Sequence, residues 1–147
     1  LIRAALRMRP DRIIVGEVRG EEAFSMLAAF NTGHDGSLCT GHGNSTADML
    51  ARLETMVLMG AALPREALRS QIASAIDVMG PLGRLRDKSR RVLEISEIGG
   101  CENGKIALNS LFRFREEGTG AGKVEGRLQR TGELKNREKL TASGCEL

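Results

Sequence analysis

The stretch from Asp11 to Gly20 constrains the fold of this 147-residue chain more than any other part. Ile13, Ile14 and Val15 form an unbroken β-branched run, which is typical of a short strand buried on both faces of a parallel sheet. Glu17 follows two residues later. In α/β folds, the carboxyl end of such a strand opens into the crevice where ligands bind. The pattern therefore predicts an α/β fold with Glu17 at a ligand crevice.

Two roles are open for Glu17. A lone carboxylate is costly to bury, so at a strand end we expect a cation or a polarised water beside it. In P-loop ATPases an acidic group at this place completes the arrangement of magnesium and attacking water. The structural alternative is that Glu17 caps the following helix, whose first residues are the acidic Glu21 and Glu22.

The periodicity of the remaining chain changes once, after Asp77. Before that point, helical patterns alternate with a second short strand; after it, apolar and polar residues alternate as they do in antiparallel strands. The predicted helices cover residues 21–30, 45–59 and 64–76, and the predicted strands cover residues 37–40, 78–86, 91–98 and 105–114. This order predicts parallel strands with helices, followed by antiparallel strands.

Composition divides the chain near residue 115. We expect residues 1–115 to form the folded domain and residues 116–147 to form a flexible basic tail with a short helix near Lys135 to Leu140. The tail's scattered basic residues raise the hypothesis of nucleic-acid binding, but a solvated face is the more usual role of such charges. Because the net charge is only +3 and the chain has four Phe, no Trp and no Tyr, we expect no nucleic-acid partner.

Both histidines lie in one short segment. His34 is in a Thr-Gly-His-Asp-Gly turn, where we predict that it holds the loop. His42 is in the glycine-flanked loop after the second strand, so we expect it near Glu17, where it contacts phosphate oxygens or bridges backbone groups of its own loop. Cys39 and Asp35 do not complete a zinc site. Three separated cysteines indicate a reducing cytoplasm, and no apolar run is long enough to cross a membrane.

Several blocks of sequence resemble the type II/type IV secretion ATPase superfamily, and the later ones resemble its Flp/Tad pilus-assembly branch, the CpaF-like proteins. The blocks are Met8–Arg12, Val18–Gly20, Asn31–Leu38, Arg52–Met59, Gln71–Asp77, Phe112–Phe114 and the closing Glu138–Leu147.

The resemblance implies the C-terminal part of a RecA-like P-loop ATPase domain that uses ATP and Mg²⁺. It also implies a cytoplasmic homo-hexamer, peripheral at the inner membrane, that works with pilus or secretion platform proteins. Glu17 matches the Walker B glutamate, which orients the attacking water and reaches the magnesium through water. His42 matches the histidine of the family's His box, while Arg19 and Thr40 fall on positions that support the site or a subunit contact.

The chain departs from the family pattern in three ways. Gly41 and Gly43 replace a β-branched residue and an alanine of the His box, so we expect a backbone loosened by about 0.5–1 kcal/mol at each position. Gly80-Pro81 interrupts a predicted strand. The sequence has no Walker A loop, because Gly118 to Lys123 lacks both a preceding buried strand and a following Ser or Thr. We therefore expect a fragment that is inactive alone; the alternative is a non-catalytic module that docks onto secretion or pilus components.

Overall fold

The computed structural model describes residues 1–145, in which helices alternate with short strands before a series of longer strands. In chain order the elements are α1 (Ile2–Leu6), β1 (Ile14–Val15), α2 (Glu22–Phe30), β2 (Leu38–Cys39), α3 (Thr46–Gly60), α4 (Arg65–Ala75), β3 (Val78–Met79), β4 (Leu82–Arg84), β5 (Arg90–Val92), β6 (Glu94–Glu102), β7 (Lys105–Gly120), β8 (Lys123–Arg130) and α5 (Glu138–Ala142). The predicted order of parallel strands with helices and then antiparallel strands is confirmed.

The chain forms two compact units. Unit 1 contains residues 1–77 and 100–107, and unit 2 contains residues 78–99 and the residues from 108 onward. This division differs from the one at residue 115 that composition led us to expect.

Helices α2, α3 and α4 pack together to form the core of unit 1. α3 begins where predicted, because the Ser45 hydroxyl accepts a hydrogen bond from the Asp48 N–H at 3.1 Å and so satisfies one of the free donors of the first turn. The apolar stripes of these helices supply the largest buried side chains of the unit, which are Met26, Leu27, Leu53, Val57, Leu68 and Ile72.

Arg69 of α4 joins three parts of unit 1. Its guanidinium donates to both carboxylate oxygens of Glu54 in α3, at 2.7 and 3.0 Å, and also to the carbonyl of Gly104. A planar guanidinium matches a carboxylate in this bidentate way, so the contact fixes direction as well as distance. Sequence reasoning did not identify this link.

The parallel pair β1–β2 is less buried than predicted. Ile14 pairs with Leu38 and Val15 with Cys39. Ile13 is buried, but Ile14 is 67% exposed and Leu38 is 63% exposed. The prediction that the β-branched run is buried on both faces is therefore wrong: within residues 1–145 only one face of this pair is covered, and successive strand residues point to opposite faces.

Unit 2 is built on a four-stranded sheet in the order β3-β6-β7-β8. The turn between β7 and β8 places Ala121 and Gly122 at φ of 49° and 76°, the left-handed geometry that matches the twist of a two-residue hairpin. β4 and β5 form a separate hairpin, because Gly80-Pro81 ends β3 and the chain resumes with a different partner strand. The predicted interruption at this proline is confirmed.

The segment after residue 115 is not the loose tail that its composition predicted. β7 continues to Gly120 and pairs with β8 from Phe112↔Arg130 to Gly120↔Lys123. The hydrogen bonds of this ladder compensate for the few large apolar residues. The predicted short helix lies slightly later, at Glu138–Ala142, and the last two residues of the chain lie outside the described residues.

A buried carboxylate holds the chain beyond β8. Glu97 of β6 is 3% exposed and accepts hydrogen bonds from the Asn109 side chain at 2.7 Å and from the backbone N–H groups of Lys135 at 3.0 Å and Asn136 at 2.7 Å. Burial raises the pKa of Glu97, but these donors outweigh it and hold the pKa below its ordinary value. Glu97 is therefore charged and anchors residues 135–136 in unit 2.

Candidate functional site

The backbone of Glu17 lies just beyond the paired part of β1 and is held on both sides by Thr40. The Thr40 hydroxyl donates to the carbonyl of Gly16 at 2.5 Å, and the Thr40 carbonyl accepts from the N–H of Val18 at 3.1 Å. Because the strands are parallel, their carboxyl ends meet at one edge, and Thr40 links the two chains there.

The Glu17 carboxylate lies between two cations or potential cations. Arg19 Nη2 is 2.7 Å from Glu17 Oε2, and His42 Nε2 is 2.5 Å from Glu17 Oε1. The side chain of Glu17 is 26% exposed, whereas those of Arg19 and His42 are 75% and 76% exposed. The predicted proximity of Glu17 and His42 at the ends of neighbouring strands is confirmed.

Arg19 keeps Glu17 ionised. Its hydrogen bond is the largest influence on the pKa of Glu17 and lowers it, although partial burial opposes the shift. In return, Glu17 raises the pKa of the Arg19 guanidinium. The charged form of a carboxylate accepts protons and orients water, so the pair supplies a base that stays deprotonated at neutral pH.

The two oxygens of Glu17 differ in their contacts. Oε2 receives the Arg19 bond, whereas Oε1 is covered from solvent and has no hydrogen-bond partner within residues 1–145. The contact of His42 Nε2 with Oε1 at 2.5 Å lacks the alignment of a hydrogen bond. Oε1 can therefore accept a hydrogen bond from another donor once His42 moves aside.

Glu22, not Glu17, holds the turn that leads into α2; it is the first residue of the helix, and the N-cap residue Glu21 makes no side-chain capping bond. Glu22 Oε1 accepts from the backbone N–H of Arg19 at 2.6 Å and of Gly20 at 3.2 Å. These bonds hold the pKa of Glu22 below its ordinary value and fix the turn that aims Arg19 back at Glu17. The structural alternative for Glu17 is therefore excluded by the geometry. The acidic pair Glu21-Glu22 predicted the start of the helix, but it did not show that Glu22 would bond to the backbone of Arg19 and Gly20.

The glycines beside His42 permit close packing of their loop against α3. A Cβ at Gly41 would lie 2.3 Å from Met49 Cε, and a Cβ at Gly43 would lie 3.0 to 3.1 Å from the Cβ, Cα and backbone N of Met49. We expected these glycines to loosen the backbone, but the structure uses them to bring the His42 loop onto the first turn of α3. No sequence pattern predicted this contact with Met49.

The remaining candidate groups have structural roles. Nδ1 of His34 lies 3.2 Å from Thr32 Oγ1 and 3.3 Å from the carbonyl of Ala29, which confirms that this histidine holds its own loop. Burial, with Glu17 nearby, raises the pKa of the Cys39 thiol to about 11, so the thiol stays protonated. Residues 1–145 contain no group of three His, Cys, Asp or Glu side chains arranged to hold a metal ion.

The site fits one side of an ATP·Mg²⁺ complex. Magnesium takes six oxygen ligands and retains several waters, so a single carboxylate reaches it through water and does not hold it alone. Glu17 Oε1 has no aligned hydrogen-bond donor, so it suits such a water once His42 moves aside. The exposed imidazole of His42 suits a phosphate oxygen.

A mixed α/β fold with a charged acid and a histidine at the ends of neighbouring parallel strands places both groups where α/β proteins bind their ligands. The family described as "Type II/IV secretion system protein" matches residues 1–135, so the chain belongs to this family. The match does not include the closing block from Glu138 that we had counted in the resemblance.

Curated relatives agree with the family. A Mycobacterium tuberculosis protein described as a "putative conjugal transfer protein" is 48% identical over 102 residues, 69% of this chain and 29% of its own length. The conjugal transfer protein TrbB of Rhizobium radiobacter is 40% identical over 117 residues, 80% of this chain and 35% of its own length. The chain thus spans about a third of the length of the relatives it matches.

A solved structure supports the fold. The VirB11 ATPase of the Brucella suis type IV secretion system, crystallised with sulphate, matches with a TM-score of 0.61 at 32% identity, over 65% of this chain and 31% of that one. The fold is therefore that of a RecA-like ATPase domain. In the part of the chain that the structure describes, no helix has the length and apolar character needed to span a membrane.

Proposed function

We propose that this chain supplies the water-activating part of the nucleotide site in a hexameric ATPase that drives transport through a secretion system. The observation that supports it best is the Glu17 carboxylate, kept charged by Arg19 and in contact with His42 at the ends of β1 and β2. The matched structure is described as an ATPase of a type IV secretion system, which supports the same class of activity.

Each residue has a separate role in this proposal. Glu17 orients the attacking water through Oε1 and contacts the magnesium shell through water. Bound ATP and Mg²⁺ supply the phosphoryl group and neutralise its charge. His42 moves between Glu17 and a phosphate oxygen, because its side chain is 76% exposed. Arg19 maintains the charge on Glu17 and contacts a neighbouring subunit, and Thr40 fixes the backbone on both sides of Glu17.

The proposal also concerns the type of secretion system in which the ATPase works. The curated relatives bear names from conjugal transfer and type IV secretion, which favours a machine of that kind. Flp/Tad pilus assembly by a CpaF-like ATPase is the more specific proposal from the sequence blocks. In either case we propose a cytoplasmic hexamer, peripheral at the inner membrane, that works with the platform proteins of its system.

The isolated chain should bind nucleotide weakly, because its sequence contains no Gly-rich phosphate loop. We expect a dissociation constant for MgATP weaker than about 1 mM in calorimetry. A tighter value would contradict the conclusion that this sequence contains no phosphate-binding loop.

A chimera tests the catalytic proposal. This chain replaces the matched segment of the TrbB relative, and ATP turnover is compared between the parent chimera and its Glu17→Gln variant. Loss of a positioned base should lower the turnover at least about 100-fold while MgATP still binds. Glu21→Gln is the matched control, because it removes an acidic group from the same turn and should leave turnover unchanged.

The same experiment separates the enzyme from the alternative, a non-catalytic docking module. An active chimera whose turnover is unaffected by Glu17→Gln would remove Glu17 from its role. A chimera that assembles and binds MgATP without any turnover would favour the docking module.

A further inference from the structure

A short surface hairpin holds the excess positive charge of the chain. It consists of β4, β5 and the turn between them, residues 82–92, and is called the basic hairpin here. Five of the 22 basic residues and one of the 19 acidic residues lie in these positions, a net charge of +4, whereas the whole chain has +3. The other residues therefore carry a net charge of −1.

Two charged residues of the basic hairpin bond to the neighbouring strands β7 and β8 and so hold the hairpin in place. Arg86 donates to Glu116 of β7, with one bond of 2.6 Å. Asp87 accepts from Val124 N–H of β8 and from Ser89 N–H, both at 2.9 Å. These donors, with the Ser89 hydroxyl as the largest influence, lower the pKa of Asp87 to about 2. These bonds anchor the turn of the hairpin to β7 and β8.

The other four cations of the basic hairpin are exposed, and of these Arg84 donates from Nε to the Lys88 carbonyl at 3.3 Å. Arg84, Lys88, Arg90 and Arg91 make no ion pair with any residue that the structure describes. Arg84 and Arg90 are direct cross-strand partners. Like charges placed opposite each other destabilise a strand pair, and an anion that contacts both would remove this cost.

An apolar residue accompanies the arginine pair. Leu82 is 74% exposed and pairs with Val92. Because residues two apart on a strand share a face, Leu82 lies on the same face as Arg84 and Arg90. The face therefore combines paired guanidinium groups with a protruding aliphatic side chain.

We propose that this face docks on the surface of an anionic phospholipid bilayer. Arg84 and Arg90 contact lipid phosphates, and Leu82 enters the boundary between headgroups and acyl chains, as the apolar side of a peripheral anchor does. A nucleic acid fits less well: the hairpin has no aromatic residue for stacking, and the remaining chain offers no net positive charge to follow a phosphate backbone. The proposal deepens the peripheral membrane placement proposed above but uses none of the nucleotide-site residues.

Vesicle flotation of the 147-residue chain tests the proposal without nucleotide, so its outcome is independent of ATP hydrolysis. The probes are vesicles of phosphatidylcholine alone and of an equimolar mixture with phosphatidylglycerol. The chain should bind only the anionic vesicles, and added salt should weaken the binding. Each basic residue near such a surface strengthens binding about fivefold, so Arg84→Gln with Arg90→Gln should weaken it about 25-fold.

The controls separate the position of the charges from the net charge. Arg127→Gln with Arg130→Gln removes two exposed arginines of β8 that pair with Glu117 and Glu133, and should leave binding nearly unchanged. Arg84→Lys with Arg90→Lys retains the charge and should retain the binding. Leu82→Ser should weaken binding without changing its salt dependence. Circular dichroism checks that each variant is folded.

Three results would overturn the proposal. The first is equal loss of binding in the β4–β5 and β8 double variants, which would show attraction by net charge alone. The second is tighter binding to a DNA duplex than to the anionic vesicles in the same buffer. The third is absence of binding to anionic vesicles at low salt.

Discussion

The packing of the His42 loop on α3 leads to a prediction about Gly41 and Gly43, which face different parts of Met49. An alanine Cβ at Gly41 would meet Met49 Cε and Sδ, at 2.3 and 3.1 Å, which are the far end of a flexible side chain. An alanine Cβ at Gly43 would meet Met49 Cβ, Cα and N, at 3.0 to 3.1 Å, which are fixed to the first turn of α3. Met49→Ala therefore relieves the first clash and leaves the second.

The expected change in the free energy of unfolding is the difference between a steric cost in the folded protein and an entropic gain from the unfolded chain. Overpacking against atoms that cannot move costs about 1–3 kcal/mol, while replacement of glycine by alanine stabilises by about 0.4–1 kcal/mol through the unfolded chain. We expect Gly43→Ala to destabilise the protein by about 1 kcal/mol, with no relief from Met49→Ala. For Gly41→Ala we expect a favourable coupling of about 1 kcal/mol with Met49→Ala.

Urea unfolding of the isolated chain, followed by circular dichroism, measures both double-mutant cycles. Gly100→Ala is the control, because a Cβ there meets nothing within 4 Å. Two results would refute the reasoning: equal rescue of both glycine variants by Met49→Ala, or a Gly43→Ala variant as stable as the Gly100→Ala control.

Two further predictions concern charged anchors. Glu97→Gln should destabilise unit 2 by about 1–3 kcal/mol and speed amide exchange at Asn136, because a buried acceptor loses its charge; unchanged exchange would contradict the anchoring role. Asp87 has a depressed pKa, so its contribution is present above its ordinary value of 3.8 and lost as the pH falls toward 2. The basic hairpin should therefore loosen between about pH 4 and pH 2, seen as faster amide exchange at Val124, and Asp87→Asn should show this exchange already at neutral pH.

The features that could be predicted from the sequence depend on residues close together in the chain. The acid at the end of β1, the start of α3 near Ser45 and the break at Pro81 follow from residue types at fixed short spacings, and all three were predicted. The proximity of Glu17 and His42 followed from topology, since parallel strands place their carboxyl ends together. The roles of these residues rest on the family resemblance.

The missed features depend on contacts between distant residues. The strand β8 contains few large apolar residues, so composition predicted a tail, but pairing with β7 supplied its stability. The fit of Gly43 against Met49 depends on ångström-scale distances that no periodicity encodes. The exposure of Ile14 reflects which face is covered, a property of the surroundings and not of the residue.

Thr40 has a consequence for how the site responds to a ligand. By bonding to Gly16 and Val18, it fastens the main chain immediately before and after Glu17, so this acid is the stationary member of its trio. Any rearrangement on ligand arrival falls to Arg19 and His42, whose side chains extend into solvent. A shift of Arg19 or His42 away from the Glu17 carboxylate, whose main chain stays in place, is the smallest motion by which the occupied and empty states of the site would differ.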